Sequence, residues 1–419
     1  MFIGKRKGVK DKAVDNYGIA GEATAYKLEM KNIKLIKTAG LFLAAALLVT
    51  GCRKQPSVAP PPPNASAPAA ATPELFHEAE GGAPVTGQTK YFKGSIGSAG
   101  DLQMKLTREG GNLKGTYFYQ KIGTKIDLQG TIDKDGGLTL EEHDAGGKQT
   151  GVFKGLWKTD GDGLITIAGN WSAPSGEKKT AFSLHEEPIE FTGDVELVGK
   201  RIKETNKKLR YEIDVEYPQV SSTLDKRYEK FNQEAKNLVV KKIAAFKADM
   251  AKQAAEAEPT PEVDASAPGS DMSIGYTIKT ARDDLISILF DVGGYYSGAA
   301  HPNSYTDVLN YDVKAGKVLK LADLFKPGAK YLQVLSAYSI KDLKRQSKDG
   351  SLPDDMIQSG AAPKAANYKS WAITKKGLEI TFDAYQVGPY AAGAQTVVVP
   401  YLELKEIINP DGPLGLFSR

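Results

Sequence analysis

Between residues 88 and 184 apolar and polar residues alternate in short runs: 89–96, 101–108, 112–119, 125–132, 138–142, 150–157, 164–171 and 180–184. A period of two sends successive side chains to opposite faces, the mark of half-buried strands. Between the runs stand Gly110-Gly111, Asp135-Gly136-Gly137, Gly146-Gly147 and Asp160-Gly161-Asp162-Gly163, residues suited to tight reversals. Eight strands linked hairpin to hairpin predict an antiparallel meander that closes into a small up-and-down barrel over residues 86–186. Such a barrel holds one small ligand or is filled by its own side chains. Asp160 and Asp162 read as turn residues, because their loop lacks the ligand spacing of an EF-hand.

The pattern changes after a charged connector at 186–208. Residues 209–217 alternate as a strand and stop at Pro218. Leu224, Tyr228, Phe231, Ala235, Leu238, Val239, Ile243, Phe246 and Met250 then recur at spacings of three and four, predicting one long amphipathic helix. A Pro-rich loop at 258–269 precedes strands at 273–280 and 285–295, a hairpin about Lys314-Ala315-Gly316, and helices at 321–325 and 330–345. Strands near 370–373, 378–385 and 395–399 lead to a last helix from Tyr401. Helices set between strands without a βαβ rhythm predict an α+β domain over 209–410.

The first 85 residues follow neither period. Lys31, Lys34 and Lys37 precede an 11-residue apolar run at 39–49, which ends in Val49-Thr50-Gly51-Cys52. Eleven residues are too few for a membrane-spanning helix, which needs about 20, but suit the core of a secretory signal. Asp11, Asp15, Glu22 and Glu29 interrupt residues 1–29, so Met30 is the expected start of translation. Residues 52–85 are rich in Pro and Ala, with too little apolar surface to fold; fully extended, the 31 residues from Lys54 to Pro84 would reach roughly 90 Å. They read as a disordered tether. The chain has 55 basic and 51 acidic residues, of which nine and four lie within 1–51, leaving 46 and 47. The near-neutral remainder offers no basic patch for nucleic acid. Cys52 is the only cysteine, so no intramolecular disulfide can form.

Val49-Thr50-Gly51-Cys52 resembles the bacterial lipobox, which implies diacylation of Cys52, a membrane partner through the lipid, and a place in the cell envelope. Arg53 stands where an aspartate would favour the inner membrane, so the expected site is the outer membrane facing the periplasm. Gly115-Thr116-Tyr117, Gly155-Leu156-Trp157 and Gly169-Asn170-Trp171 give the barrel a loose likeness to avidin-like and lipocalin-like barrels. Three groups of residues carry a more specific likeness: Gly298-Ala299-Ala300-His301-Pro302-Asn303 and Asn310-Tyr311-Asp312 with Gly316; Leu321-Ala322-Asp323-Leu324-Phe325; and Tyr385, Gly388-Pro389-Tyr390-Ala391, Gly393 and Val399-Pro400-Tyr401. With these, residues 209–410 resemble the paired uncharacterised domains that precede the catalytic module of peptidoglycan deacetylase C and form the extracellular part of the anti-sigma-V factor. The resemblance implies recognition of peptidoglycan or a lysozyme-like protein, and transfers no catalytic residue.

Residues for chemistry are sparse. His77, His143, His185 and His301 lie 66, 42 and 116 residues apart, without the paired spacing of a metal site. Thr381-Phe382-Asp383 echoes a deacetylase motif but has Ala384 where a second aspartate belongs. Ser175 and Lys178 fall in a turn, and neither a nucleophile elbow nor a phosphate loop is present. No catalytic residue, metal or cofactor is therefore expected, and binding remains. Fourteen of the 19 Tyr follow Leu209. Tyr295, Tyr296, His301, Asn303, Tyr305 and Tyr390 are the candidate binding residues, since a tyrosine ring offers a flat apolar face and a hydroxyl to a sugar or a protein. The competing reading is that Tyr simply favours strands and His301 holds its own turn. A small-ligand or hydrolytic role for the barrel is the alternative function.

Overall fold

The computed structural model describes residues 87–418 apart from 99, 121, 162, 193–194, 223–225, 257–268 and 348–349. The expected signal, the expected lipid attachment at Cys52 and the expected tether lie outside the described residues.

Eight strands form a closed antiparallel barrel: β1 (Gln88–Ile96), β2 (Asp101–Glu109), β3 (Asn112–Tyr119), β4 (Ile126–Ile132), β5 (Gly137–His143), β6 (Gln149–Thr159), β7 (Ile165–Ser172) and β8 (Thr180–Glu187). Each pairs with the next, and β1 returns to β8 from Tyr91↔Glu187 to Ile96↔Phe182. Aspartates hold several reversals. Asp133 accepts from the Asp135 and Gly137 amides, and Asp144 from those of Gly146 and Lys148. Asp160 likewise accepts from Leu164 N–H, so it serves its own turn. The interior is filled. Phe92, Leu102, Met104, Tyr117, Phe153, Ile167 and Leu184 are almost fully buried there, and Phe153 meets Tyr117 and Phe182 edge to face. The barrel core is therefore made of the protein's own side chains, and the ligand-holding alternative finds no support in it.

The segment read as a charged connector is largely strand: β9 (Ile189–Glu190) and β10 (Val195–Asn206) lie within it. They join a sheet with β11 (Tyr211–Ser222), β12 (Ser270–Arg282), β13 (Leu285–Tyr295), β14 (Asn303–Asp312) and β15 (Lys317–Val318), in the order β10-β11-β12-β13-β14-β15, with β9 beside β12. β11 and β12 pair in parallel, bridged by the long helix α1 (Arg227–Glu256), so the region does contain one βαβ crossover. The stripe from Tyr228 to Met250 faces the sheet and packs on Ile213, Val215, Ile274, Ile288 and Phe290.

A second core follows, around α2 (Tyr331–Gln346), α3 (Asp354–Gly360), the three-stranded sheet β16 (Trp371–Ile373), β17 (Gly377–Phe382) and β18 (Gln395–Pro400), and α4 (Tyr401–Leu404). A buried polar chain fastens it to the large sheet. Thr280 Oγ1 donates to Ile373 O, Ile373 N–H to Ser287 Oγ, Ser287 Oγ to Asn310 Oδ1, and Asn310 Nδ2 to Trp371 O. The barrel also docks on this body. Tyr91 Oη donates to Val195 O at 3.0 Å, and Lys125 pairs with Glu196 at 2.9 Å.

Candidate functional site

The β13–β14 connection and the loop after β17 come together at one end of the large sheet. The connection turns through Gly298 at φ 87°, is pinned by Ser297 N–H to Ser270 Oγ, and delivers His301-Pro302-Asn303. Asp383, at the end of β17, accepts from both the amide and the hydroxyl of Thr306 on β14 and so fixes the second loop against the first. Burial raises the Asp383 carboxyl above its ordinary range, opposed by these two Thr306 donors. This aspartate of the deacetylase-like tripeptide is thus engaged in holding two strands together.

Asp383 also sets up the aromatic cluster beyond it. Tyr385 adopts φ 71°, a left-handed conformation unusual for a residue with a side chain, and is 58% exposed. Its centroid lies 5.4 Å from that of Tyr390, and Tyr390 stacks on His301 at 4.1 Å and 29°. Tyr390 Oη donates to Pro302 O at 2.7 Å. His301 Nδ1 lies 2.7 Å from the same carbonyl, which can only accept, so Nδ1 carries the proton. In the neutral ring Nε2 then remains an acceptor. His301 both holds its turn and completes a three-ring surface.

Asn303 belongs to a second feature just beyond. A groove of about 260 Å³ is lined by Tyr296, Asn303 and Tyr305 together with Lys242, Phe246 and Asp249 from α1. Tyr305 is 42% exposed. Lys242 Nζ lies 4.9 Å from its ring centroid, donates to its hydroxyl at 3.2 Å and pairs with Asp307 at 2.7 Å. Burial pulls the Lys242 ammonium down, but Asp307 and then Tyr305 outweigh it and hold it above its ordinary range. Tyr296 packs edge to face on Phe246, and its hydroxyl is raised by burial and by Asp249.

Five of the six sequence candidates therefore share one end of the molecule, His301 and Tyr390 in the stack and Tyr296, Asn303 and Tyr305 in the groove. Tyr295 ends β13 opposite Asp271 and lines neither feature. Pattern reading missed Lys242, Asp249 and Asp307. The two from α1 look like ordinary members of a solvated helix face, and only the packing of α1 beside β14 gives them a role. Among the described residues, no group of three or more His, Cys, Asp or Glu converges as a metal site.

Comparison with known proteins falls on this same region. Residues 203–304 match the family model "Deacetylase PdaC", and residues 322–402 match "Protein of unknown function (DUF3298)". The peptidoglycan-N-acetylmuramic acid deacetylase PdaC of Bacillus subtilis is 31% identical over 140 residues, which are 33% of this chain and 30% of that protein. The chain thus matches less than a third of that relative's length. A crystal structure of a DUF3298 family member from Bacteroides fragilis superposes with TM-score 0.42 at 18% identity, over 55% of this chain and 100% of the other. One from Pseudomonas aeruginosa gives 0.37 at 17%, over 51% and 95%. The C-terminal half therefore carries the PdaC-like and DUF3298 segments that its motifs resemble.

Proposed function

We propose that this protein is a lipid-anchored component of the cell envelope that binds peptidoglycan without chemistry of its own, through the aromatic end of its C-terminal region. The observation that carries the reading is the pairing of an exposed three-ring surface, Tyr385, Tyr390 and His301, with the adjoining Tyr305 groove. Sugars present flat C–H faces rimmed by hydroxyls. Exposed rings take the faces, while Asn303, Asp249 and the acceptor nitrogen of His301 suit the hydroxyls. The PdaC-like segment supports the choice of glycan, since the relative's own name places its substrate in peptidoglycan. Cys52, as the lipidated residue, would hold this end within reach of the wall from the outer membrane.

The test is retention of the full chain on peptidoglycan sacculi, with immobilised lysozyme as a parallel arm. Sacculi should retain the wild type at micromolar concentration, whereas Tyr385→Ala and Tyr305→Ala should each weaken retention about tenfold, a loss of about 1.4 kcal/mol. Retention by lysozyme alone would move the site to a protein partner. Retention by neither would end the reading.

A further inference from the structure

The large sheet is not continuously paired. On one edge of β12, β11 pairs in parallel from Tyr211↔Ser270 to Val215↔Ile274, and β9 resumes at Ala281↔Ile189. Between them, residues 275–280 have no strand partner on that edge among the described residues, while the opposite edge continues along β13. Six residues of strand span about 20 Å. The Ser270 amide donates to Arg210 O on the β11 side. Alternation carries this orientation to Tyr276 and Ile278, ahead of the bulge between Ile278 and Thr280. Their main-chain N–H and C=O groups therefore face the gap.

The gap opens on a groove of about 610 Å³ between the barrel, the large sheet and the small sheet. Tyr276 and Ile278 line it as well as Thr277 and Lys279, so residues of both strand faces reach it, as they do where a strand presents its edge. The formal charges that line it balance, Lys93, Lys279, Lys375 and Lys376 against Asp101, Glu186, Glu187 and Glu379. Several are paired, Lys279 with Glu379 at 2.7 Å, Lys375 with Glu190 at 2.6 Å, and Glu186 with Lys90 at 2.6 Å.

We propose that this open edge of β12 is a docking site for a short, extended peptide segment of a partner protein, low in net charge, which pairs with the main chain at Tyr276 and Ile278. This is a second site, independent of the aromatic end. Only an extended peptide presents donors and acceptors in the alternation that a strand edge requires, which a glycan lacks. A second copy of this chain fits poorly, because its own β12 edge is recessed in the same way and its outer edge strand β10 carries Lys200, Arg201, Lys203 and Glu204. The closed flanks at β11 and β9 limit the paired stretch to about five residues.

The probe is a phage-displayed library of random 12-residue peptides, selected on the full chain and followed by fluorescence anisotropy with the selected peptide. Micromolar binding is expected. N-methylation of one alternate set of its residues should weaken binding about tenfold or more, and methylation of the other set should not, because only one set pairs. Thr277→Trp, at an exposed side chain in the groove, should abolish peptide binding yet leave sacculus retention unchanged. The proposal is overturned if no peptide is selected, if both methylated sets bind alike, or if Thr277→Trp binds as the wild type. A concentration-dependent dimer lost in Thr277→Trp would overturn it in favour of a second copy.

Discussion

Glu142 occupies a position where a carboxylate is costly unless every lone pair is used. It sits on β5, 6% exposed, and three uncharged donors from other strands reach it. Tyr117 Oη donates to Oε2 at 2.7 Å, Trp171 Nε1 to Oε2 at 2.8 Å, and Thr150 Oγ1 to Oε1 at 2.6 Å. The arrangement ties β3, β6 and β7 to β5 and explains why Tyr117 holds its proton, raised by burial and then by Glu142. Glu142→Ala leaves the Tyr117 and Trp171 donors without an acceptor, at about 1–3 kcal/mol for each buried group. Thermal unfolding of Glu142→Ala should therefore fall well below wild type, with Glu142→Gln between the two. A melting temperature for Glu142→Ala equal to wild type would mean that water replaces the carboxylate at no loss. None of this was legible in the sequence, where Glu142 is one more polar residue in an alternating run. His301 and Tyr390 were legible singly, but their stack joins residues almost 90 positions apart and depends on a β17 loop fixed by Asp383.

At the scale of elements, alternation found all eight barrel strands because each has one dry and one wet face. It missed β10, where Val195 and Leu197 are buried but Lys200, Arg201, Lys203 and Glu204 give the outer half the look of a linker. Charged side chains are a usual defence of an edge strand, so a charged run did not exclude a strand. The crossover was hidden for another reason: α1 was evident from its stripe, but nothing local says whether the strand after a helix returns parallel or antiparallel. Within the barrel, Gly130 on β4 marks where two backbones approach closely. A Cβ there would stand 1.9 Å from Thr139 O and 2.8 Å from Leu140 Cα on β5. Gly130→Ala must push main chain apart and should cost about 1–3 kcal/mol. Gly275→Ala on β12 meets nothing within 4 Å and should remain within about 0.5 kcal/mol of wild type. Denaturant unfolding of the two variants checks the contrast, and equal midpoints would show that β4 and β5 separate freely.

At the scale of the whole molecule, the barrel and the large sheet meet over a polar seam, and one of its groups titrates near neutrality. Glu187 ends β8 where the barrel faces Tyr276 on β12 and Glu216 on β11. Burial pushes its carboxyl from an ordinary 4.5 up to about 7; Lys93 and a hydrogen bond from Gln103 oppose the rise, and Glu216 adds to it. Lys93, the nearest cation, is shared, since it lies 3.7 Å from Glu216 and 5.0 Å from the Tyr276 ring centroid. The folded chain thus holds the Glu187 proton more tightly than the unfolded chain. Its contribution is fully present below about pH 4.5 and is lost as pH rises to about 7, by up to about 3 kcal/mol. The loss concentrates at the seam, because the ionised carboxylate then faces Glu216 with one lysine between two acids. Glu187→Gln keeps the shape and removes the titration. Its unfolding temperature should match wild type at pH 5 and exceed it at pH 8, while Glu196→Gln, on the exposed Lys125 pair, should leave the wild-type pH dependence in place. Parallel curves for wild type and Glu187→Gln between pH 5 and 8 would show that the Glu187 side chain is solvated in the folded protein and that the barrel docks without regard to its charge.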